Sequence, residues 1–177
     1  QYVQGLLRNG CDVWWLERYR PGTDPGADAR RLDAYRARMA GFGLADRVLL
    51  YATADGGARR EWDMRSAAEA EAVLCDADLL LNFHYAIDPS LLALPRCTAL
   101  VDIDPGLLQF WISAGQLAVP PHDRYLTIGE TVGRPGSRIP DCGVEWVHFR
   151  PPGCLDLWQP IAEPAGDAFT PGAGGGA

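Results

Sequence analysis

The sequence predicts an α/β fold built on a doubly wound, mostly parallel sheet, and three observations predict it. Short apolar runs alternate with stretches of helical period along most of the chain, the pattern produced by right-handed βαβ units. One of those runs, "DLLLNFH" (78–84), is continuously apolar rather than alternating, as a parallel strand covered on both faces requires. The helical stretches also carry start and stop signals, so they separate cleanly from the strands.

The elements follow in order. "QYVQGLLRNG" (1–10) reads as a helix, with Val3, Leu6 and Leu7 on one side and Gly10 where a C-terminal cap belongs. "CDVWWLE" (11–17) reads as a strand, and "DARRLDAYRARMA" (28–40) as an amphipathic helix burying Leu32, Tyr35 and Met39. "RVLLYAT" (47–53) is a second strand, followed by a Gly-containing loop. "SAAEAEAVLCDA" (66–77) opens with Ser66 and places Glu69 three residues later, a capping box. After the 78–84 strand, "DPSLLALP" is a helical turn stopped at Pro95, and "TALVDID" (98–104) is the next strand. "PGLLQFWISAG" (105–115) reads as a helix with proline in its first turn. "RYLTIGE" (124–130) and "VEWVHFR" (144–150) supply the last strands. The link between them, 131–143, is rich in Gly and Pro without helical period. No internal repeat is present.

At 177 residues the chain suffices for one domain with a real core, and its 47% apolar and 22% charged shares are ordinary for a globular protein. A net charge of −7 with no basic stretch argues against a nucleic-acid partner. The longest apolar run is interrupted by aspartates, so no membrane span is expected, and no signal peptide is expected from the first residues. The five cysteines are scattered without a CxxC, which suggests reduced thiols and a cytoplasmic location. His84, His122 and His148 lack metal-ligand spacing, so no metal is expected. Both ends read as cut: a helix entering a strand at the start suggests a lost first strand. "PAGDAFTPGAGGGA" at the other end is expected to be a disordered tail.

In open α/β sheets ligands bind beyond the carboxyl ends of the strands. Those ends carry Asn82 and His84, then Asp102 and Asp104, then Gly129 and Glu130, then Arg150. Such a series of polar ends on one edge points to a site. Each residue also has a purely structural role available. Asp104 could cap the following helix, His84 could satisfy a carbonyl, Glu130 could be solvated, and Arg150 could pair with a neighbour. His122 and Asp123 begin a strand, on the opposite edge, and are expected to order a loop. Trp14, Trp15, Phe110, Trp111 and Trp146 are expected in the core. No GxSxG, phosphate loop or dinucleotide fingerprint is present.

"YVQGLLRNGCDVWWLE" resembles the first helix and second strand of GT-B glycosyltransferases, where "xxGLxxxGHDVxxLE" follows a Gly-rich turn; Cys11 stands in place of the usual histidine. The run "DIDPGLLQFW…HDRYLTIGETVGRPGSRIP…GVEWVHFRPPGCLDLW" is similar to bacterial proteins described as glycosyltransferase-like. The resemblance covers most of residues 1–160. It implies one half of a GT-B architecture: a Rossmann-like N-terminal domain over 1–160, its first strand missing, with 161–177 as the tail. It also implies transfer of a sugar from a nucleotide-sugar donor to an acceptor hydroxyl, this half lining the acceptor side. On that basis His84, Asp104 and Glu130 are the expected catalytic groups, and Asp102, Gly129 and Arg150 the expected substrate-binding ones. No cofactor is expected, and the chain alone is expected to be inactive. The alternatives are a non-catalytic Rossmann-like binding domain and a nucleotide-sugar epimerase, which shares the GT-B fold.

Overall fold

The computed structural model describes residues 1–54, 59–63 and 65–157; the tail over 161–177 lies outside them. The elements are α1 (Tyr2–Arg8), β1 (Trp15–Arg18), α2 (Pro25–Gly41), β2 (Val48–Ala54), β3 (Arg59–Asp63) and α3 (Ala67–Asp76). They continue with β4 (Leu80–Asn82), α4 (Pro89–Leu92), β5 (Thr98–Asp102), α5 (Leu107–Ser113), β6 (Arg124–Thr127) and β7 (Trp146–His148).

Local chemistry sets most helix starts. Asp24 accepts the Gly26 amide at 2.9 Å ahead of Pro25, so α2 begins on a side-chain cap with proline where its missing N–H costs nothing. Ser66 and Glu69 form the expected reciprocal box on α3: Ser66 Oγ accepts the Glu69 amide, and the Glu69 carboxylate accepts the Ser66 amide at 2.8 Å. Asp88 caps α4 in the same manner as Asp24 caps α2.

The chain is α/β, but its strands form two sheets rather than one. The first has three strands in the order β1-β2-β3, with β1 parallel and β3 antiparallel to β2. The second has four strands in the order β4-β5-β6-β7, all parallel. The expected continuous sheet is interrupted because, among the described residues, no strand pairs with the free side of β1 or of β4. The third strand of the first sheet was not expected: "RREWD" lacks an apolar run. It folds back on β2 because Trp62 packs against Tyr51, with ring centroids 5.5 Å apart, and the Arg60 guanidinium lies over both rings.

Several strands are shorter than their apolar runs. The run at 78–84 pairs only over Leu80–Asn82, since Asp78 is held by Arg96 and the Asn82 side chain takes the His84 amide and ends the ladder. Likewise 11–17 narrows to Trp15–Arg18.

The core lies on both faces of the first sheet and, in the second, on the face under α5 and around Ala99 and Val101 on the opposite face of β5. In β2, Leu49 and Tyr51 face α3 and α4 through Ala70, Leu74 and Leu91, while Val48 and Leu50 face Met39 of α2 and Leu44 in the loop after it. In the second sheet Leu100 and Trp146 pack under Leu108 of α5 and Val132 of the following loop. A fully buried leucine stabilises by about 1.5–3 kcal/mol, so β2, buried on both faces, anchors the first half of the molecule.

Candidate functional site

Four parallel strands in sequential order bring the loops after β4, β5, β6 and β7 to one edge. A buried polar network fixes two of those loops. Asp102, only 2% exposed, accepts three hydrogen bonds: from Gln109 Nε2 at 2.6 Å, Thr127 Oγ1 at 2.8 Å and the Asp104 amide at 3.1 Å. Gln109 returns its Oε1 to the Gly106 amide at 2.7 Å, and Thr127 Oγ1 accepts the Gly129 amide at 3.0 Å. The network therefore ties the end of β5, the start of α5 and the end of β6 together. At the end of β7, His148 Nε2 donates to the Val132 carbonyl at 2.8 Å, which holds the loop after β6.

The loop after β4 is set by a second arrangement. His122 donates from Nδ1 to the Pro120 carbonyl at 2.7 Å, so its Nε2 is the acceptor for the Asn82 amide at 3.0 Å. The Asn82 Oδ1 in turn accepts the His84 amide at 2.9 Å. Burial holds the His122 imidazole below its ordinary pKa, opposed by the Pro120 hydrogen bond and by the charge of Asp123. Asp123 accepts both the amide and the hydroxyl of Thr98, which lowers its own pKa. His122 and Asp123 thus order loops and the start of β5, as the sequence suggested.

What the edge presents to solvent is different. His84, Asp104, Glu130 and Arg150 are all exposed, and among the described residues no hydrogen bond or ion pair joins any of them to another. His84 accepts the Ala86 amide through Nδ1 at 3.2 Å, and among the described residues its Nε2 has no hydrogen-bond partner. Its ring stacks on Tyr85, with centroids 5.6 Å apart and planes 18° apart, and Tyr85 meets Trp111 edge-on at 6.3 Å. The result is an imidazole, a phenol and an indole side by side at the mouth of β4 and α5.

Two structural expectations are corrected by the fold, the capping role of Asp104 and the core placement of Phe110. Asp104 does not cap α5: the N-cap is Gly106, whose φ of 108° admits only glycine without strain, and the helix begins at Leu107 rather than Pro105. Asp102 has both carboxylate oxygens committed internally, which makes it a positioning group for the loops. Gly129 serves packing, because a Cβ there would fall 2.5 Å from Pro105 Cβ and 2.7 Å from Val132 Cγ2. Phe110, expected in the core, is 51% exposed, since α5 turns Leu108 and Gln109 inward. Arg150 lines a cavity of about 310 Å³ between α1 and the sheet, with Tyr2, Leu6, Leu81, Phe83 and Leu126. Among the described residues no group of three His, Cys, Asp or Glu side chains is disposed to hold a metal ion, and no helix is long and apolar enough to cross a membrane.

Sequence reasoning missed Tyr85, Trp111, Thr127 and Gln109 as parts of this edge. Gln109 was hidden, because its place in the first turn of α5 follows only from the N-cap at Gly106, not from the start at Pro105 that the sequence suggested. Tyr85 and Trp111 were hidden, because nothing in either local pattern brings the two rings together. The chain matches no protein-family model, no curated protein and no solved structure.

Proposed function

We propose that the carboxyl edge of the four-stranded sheet is the acceptor-binding wall of a glycosyltransferase cleft of the GT-B type, and that the fold is Rossmann-like. The observation that carries this reading is the pairing of a solvent-accessible aromatic group with polar groups that have no partner among the described residues. The His84–Tyr85–Trp111 cluster offers ring faces to the C–H face of a sugar, and Asp104, Glu130 and His84 Nε2 offer acceptors and a donor for its hydroxyls. The rigid Asp102–Gln109–Thr127 network beneath supplies the preorganisation that a hydroxyl-reading site needs. In transfer, Glu130 or His84 would take the proton of the attacking hydroxyl, the donor being held by a facing wall.

The test is a protein-detected NMR titration of the chain with maltose, methyl glucoside and UDP. The sugars should shift His84, Tyr85 and Trp111 resonances with millimolar affinity, and UDP should leave them unmoved. Sugars without effect, or UDP binding at these residues, would discard the reading. One observation favours a second reading, a non-catalytic binding domain: among the described residues no two of His84, Asp104, Glu130 and Arg150 are paired, so no acid–base couple is assembled at this edge. Under that reading sugars bind as before, and Glu130→Gln leaves every measured function unchanged.

A further inference from the structure

The face of the second sheet that turns away from α5 is covered by α1, and the two do not close on each other. Leu100 and Trp146 lie on the α5 side, so by alternation Val101 lies on the other. Register sets Leu126 beside Val101 and Leu81 beside Ala99, on that same face. Leu81, Val101 and Leu126 form the floor of the cavity of about 310 Å³, and Gly5 and Leu6 of α1 lie over it. Close-packed interiors leave few voids larger than a water molecule. A space of this volume falls instead at the lower end of ligand pockets, about 300–1,000 Å³.

The lining is apolar but not uniform. Three aromatic residues belong to it: Tyr2 meets Phe83 at 4.9 Å and Phe149 at 6.1 Å, with ring planes 61° and 63° apart. Rings prefer such edge-to-face contacts, and an open cluster of them suits a further ring. Arg150 is the one charged residue among the described residues that line the cavity. It is exposed, and it makes no hydrogen bond or ion pair with another described residue. Arg8, at the end of α1, shows the contrast: its guanidinium forks onto Asp156 through two hydrogen bonds of 2.6 Å. The Arg150 fork has the same fit to a planar carboxylate. An anion deep in apolar surroundings would be heavily penalised, whereas one at the rim, against an exposed guanidinium, keeps much of its hydration.

We propose that this cavity binds a small aromatic carboxylate, with its ring against Tyr2, Phe83 and Phe149 and its carboxylate on Arg150. His84, Asp104 and Glu130 do not line the cavity. The site is therefore separate from the edge proposed to bind sugars, and neither reading depends on the other.

The experiment is a protein-detected NMR titration of the chain with naphthoate, its neutral amide naphthamide, and octanoate. Naphthoate should shift the Tyr2, Leu81, Leu126 and Phe149 resonances, leave Trp111 unmoved, and raise Tm as its concentration rises. Naphthamide, which lacks the charge, and octanoate, which lacks the ring, should each bind about tenfold more weakly or worse. Arg150→Gln should weaken naphthoate by about tenfold or more and leave naphthamide unchanged, a split that general damage to the fold would not produce. Leu126→Trp fills the cavity and should abolish the shifts while circular dichroism shows the fold retained; Leu6→Trp fills it from the helix side if the first variant does not fold. Naphthoate without effect at these residues, naphthamide or octanoate bound as tightly as naphthoate, Arg150→Gln without effect, or a folded filling variant that still binds would overturn the proposal.

Discussion

Gly129 and Glu130 are adjacent in the sequence and opposite in what the fold asks of them. Gly129→Ala forces a methyl group into Pro105 and Val132, and overpacking of this kind costs about 1–3 kcal/mol. Glu130→Gln changes an exposed side chain with no partner among the described residues, and should stay within about 0.5 kcal/mol of the parent. Denaturant unfolding of the two variants checks both numbers, and a destabilising Glu130→Gln would mean the carboxylate has a structural role. His122 gives the pH dependence. Its folded pKa lies below the unfolded value of about 6.5, so the unfolded chain takes the proton first. The stability it contributes is present above that pH and is lost as pH falls through the folded pKa. Protonation also sets an Nε2–H against the Asn82 amide and so loosens the turn that holds His84. Denaturation at pH 7.5, 6 and 5 should show a fall in stability that His122→Gln lacks; parallel curves would contradict it. At this scale the sequence revealed which strand ends are polar but not which of them turn inward. Asp102 and Asp104 have the same residue type two positions apart, and only the end of β5 at Asp102, with Gln109 and Thr127 arriving from other elements, buries the first and leaves the second exposed.

Among the elements, those with local chemical signals were legible. The α3 box follows from Ser66 and Glu69 alone, and Ser66→Ala should cost about 1 kcal/mol. The same change should lower thermal stability by a few degrees without altering the second sheet, which shares no cluster with α3; circular dichroism with Trp146 fluorescence would separate the two responses. Helix α5 was placed but mis-started, because Pro105 looked like a first-turn residue while the left-handed Gly106 between Pro105 and Leu107 sets the real boundary. β3 was not legible at all. Its two inward side chains, Arg60 and Trp62, acquire meaning only once Tyr51 lies opposite, and a cross-strand partner is not a property of a window of sequence.

For the whole molecule, the alternation of strands and helices predicted α/β class and a parallel sheet, and the break between β1 and β4 is the feature that alternation could not show. Periodicity reports how a segment is buried, whereas strand order depends on which edges find partners. The same geometry bears on activity. A transferase must hold donor and acceptor together, because much of its rate comes from fixing the two reactants in line and from charges preset around the leaving group. On the proposed reading the carboxyl edge would supply one wall, on which His84, Asp104 and Glu130 stand apart, and among the described residues nothing facing that edge could hold a diphosphate. This chain should therefore bind sugars yet release no nucleotide from UDP-glucose above the spontaneous rate, with maltose as acceptor, in a coupled assay of several hours. Turnover by the chain alone, abolished by Glu130→Gln, would show that this single wall is a complete active site and would overturn the two-wall reading.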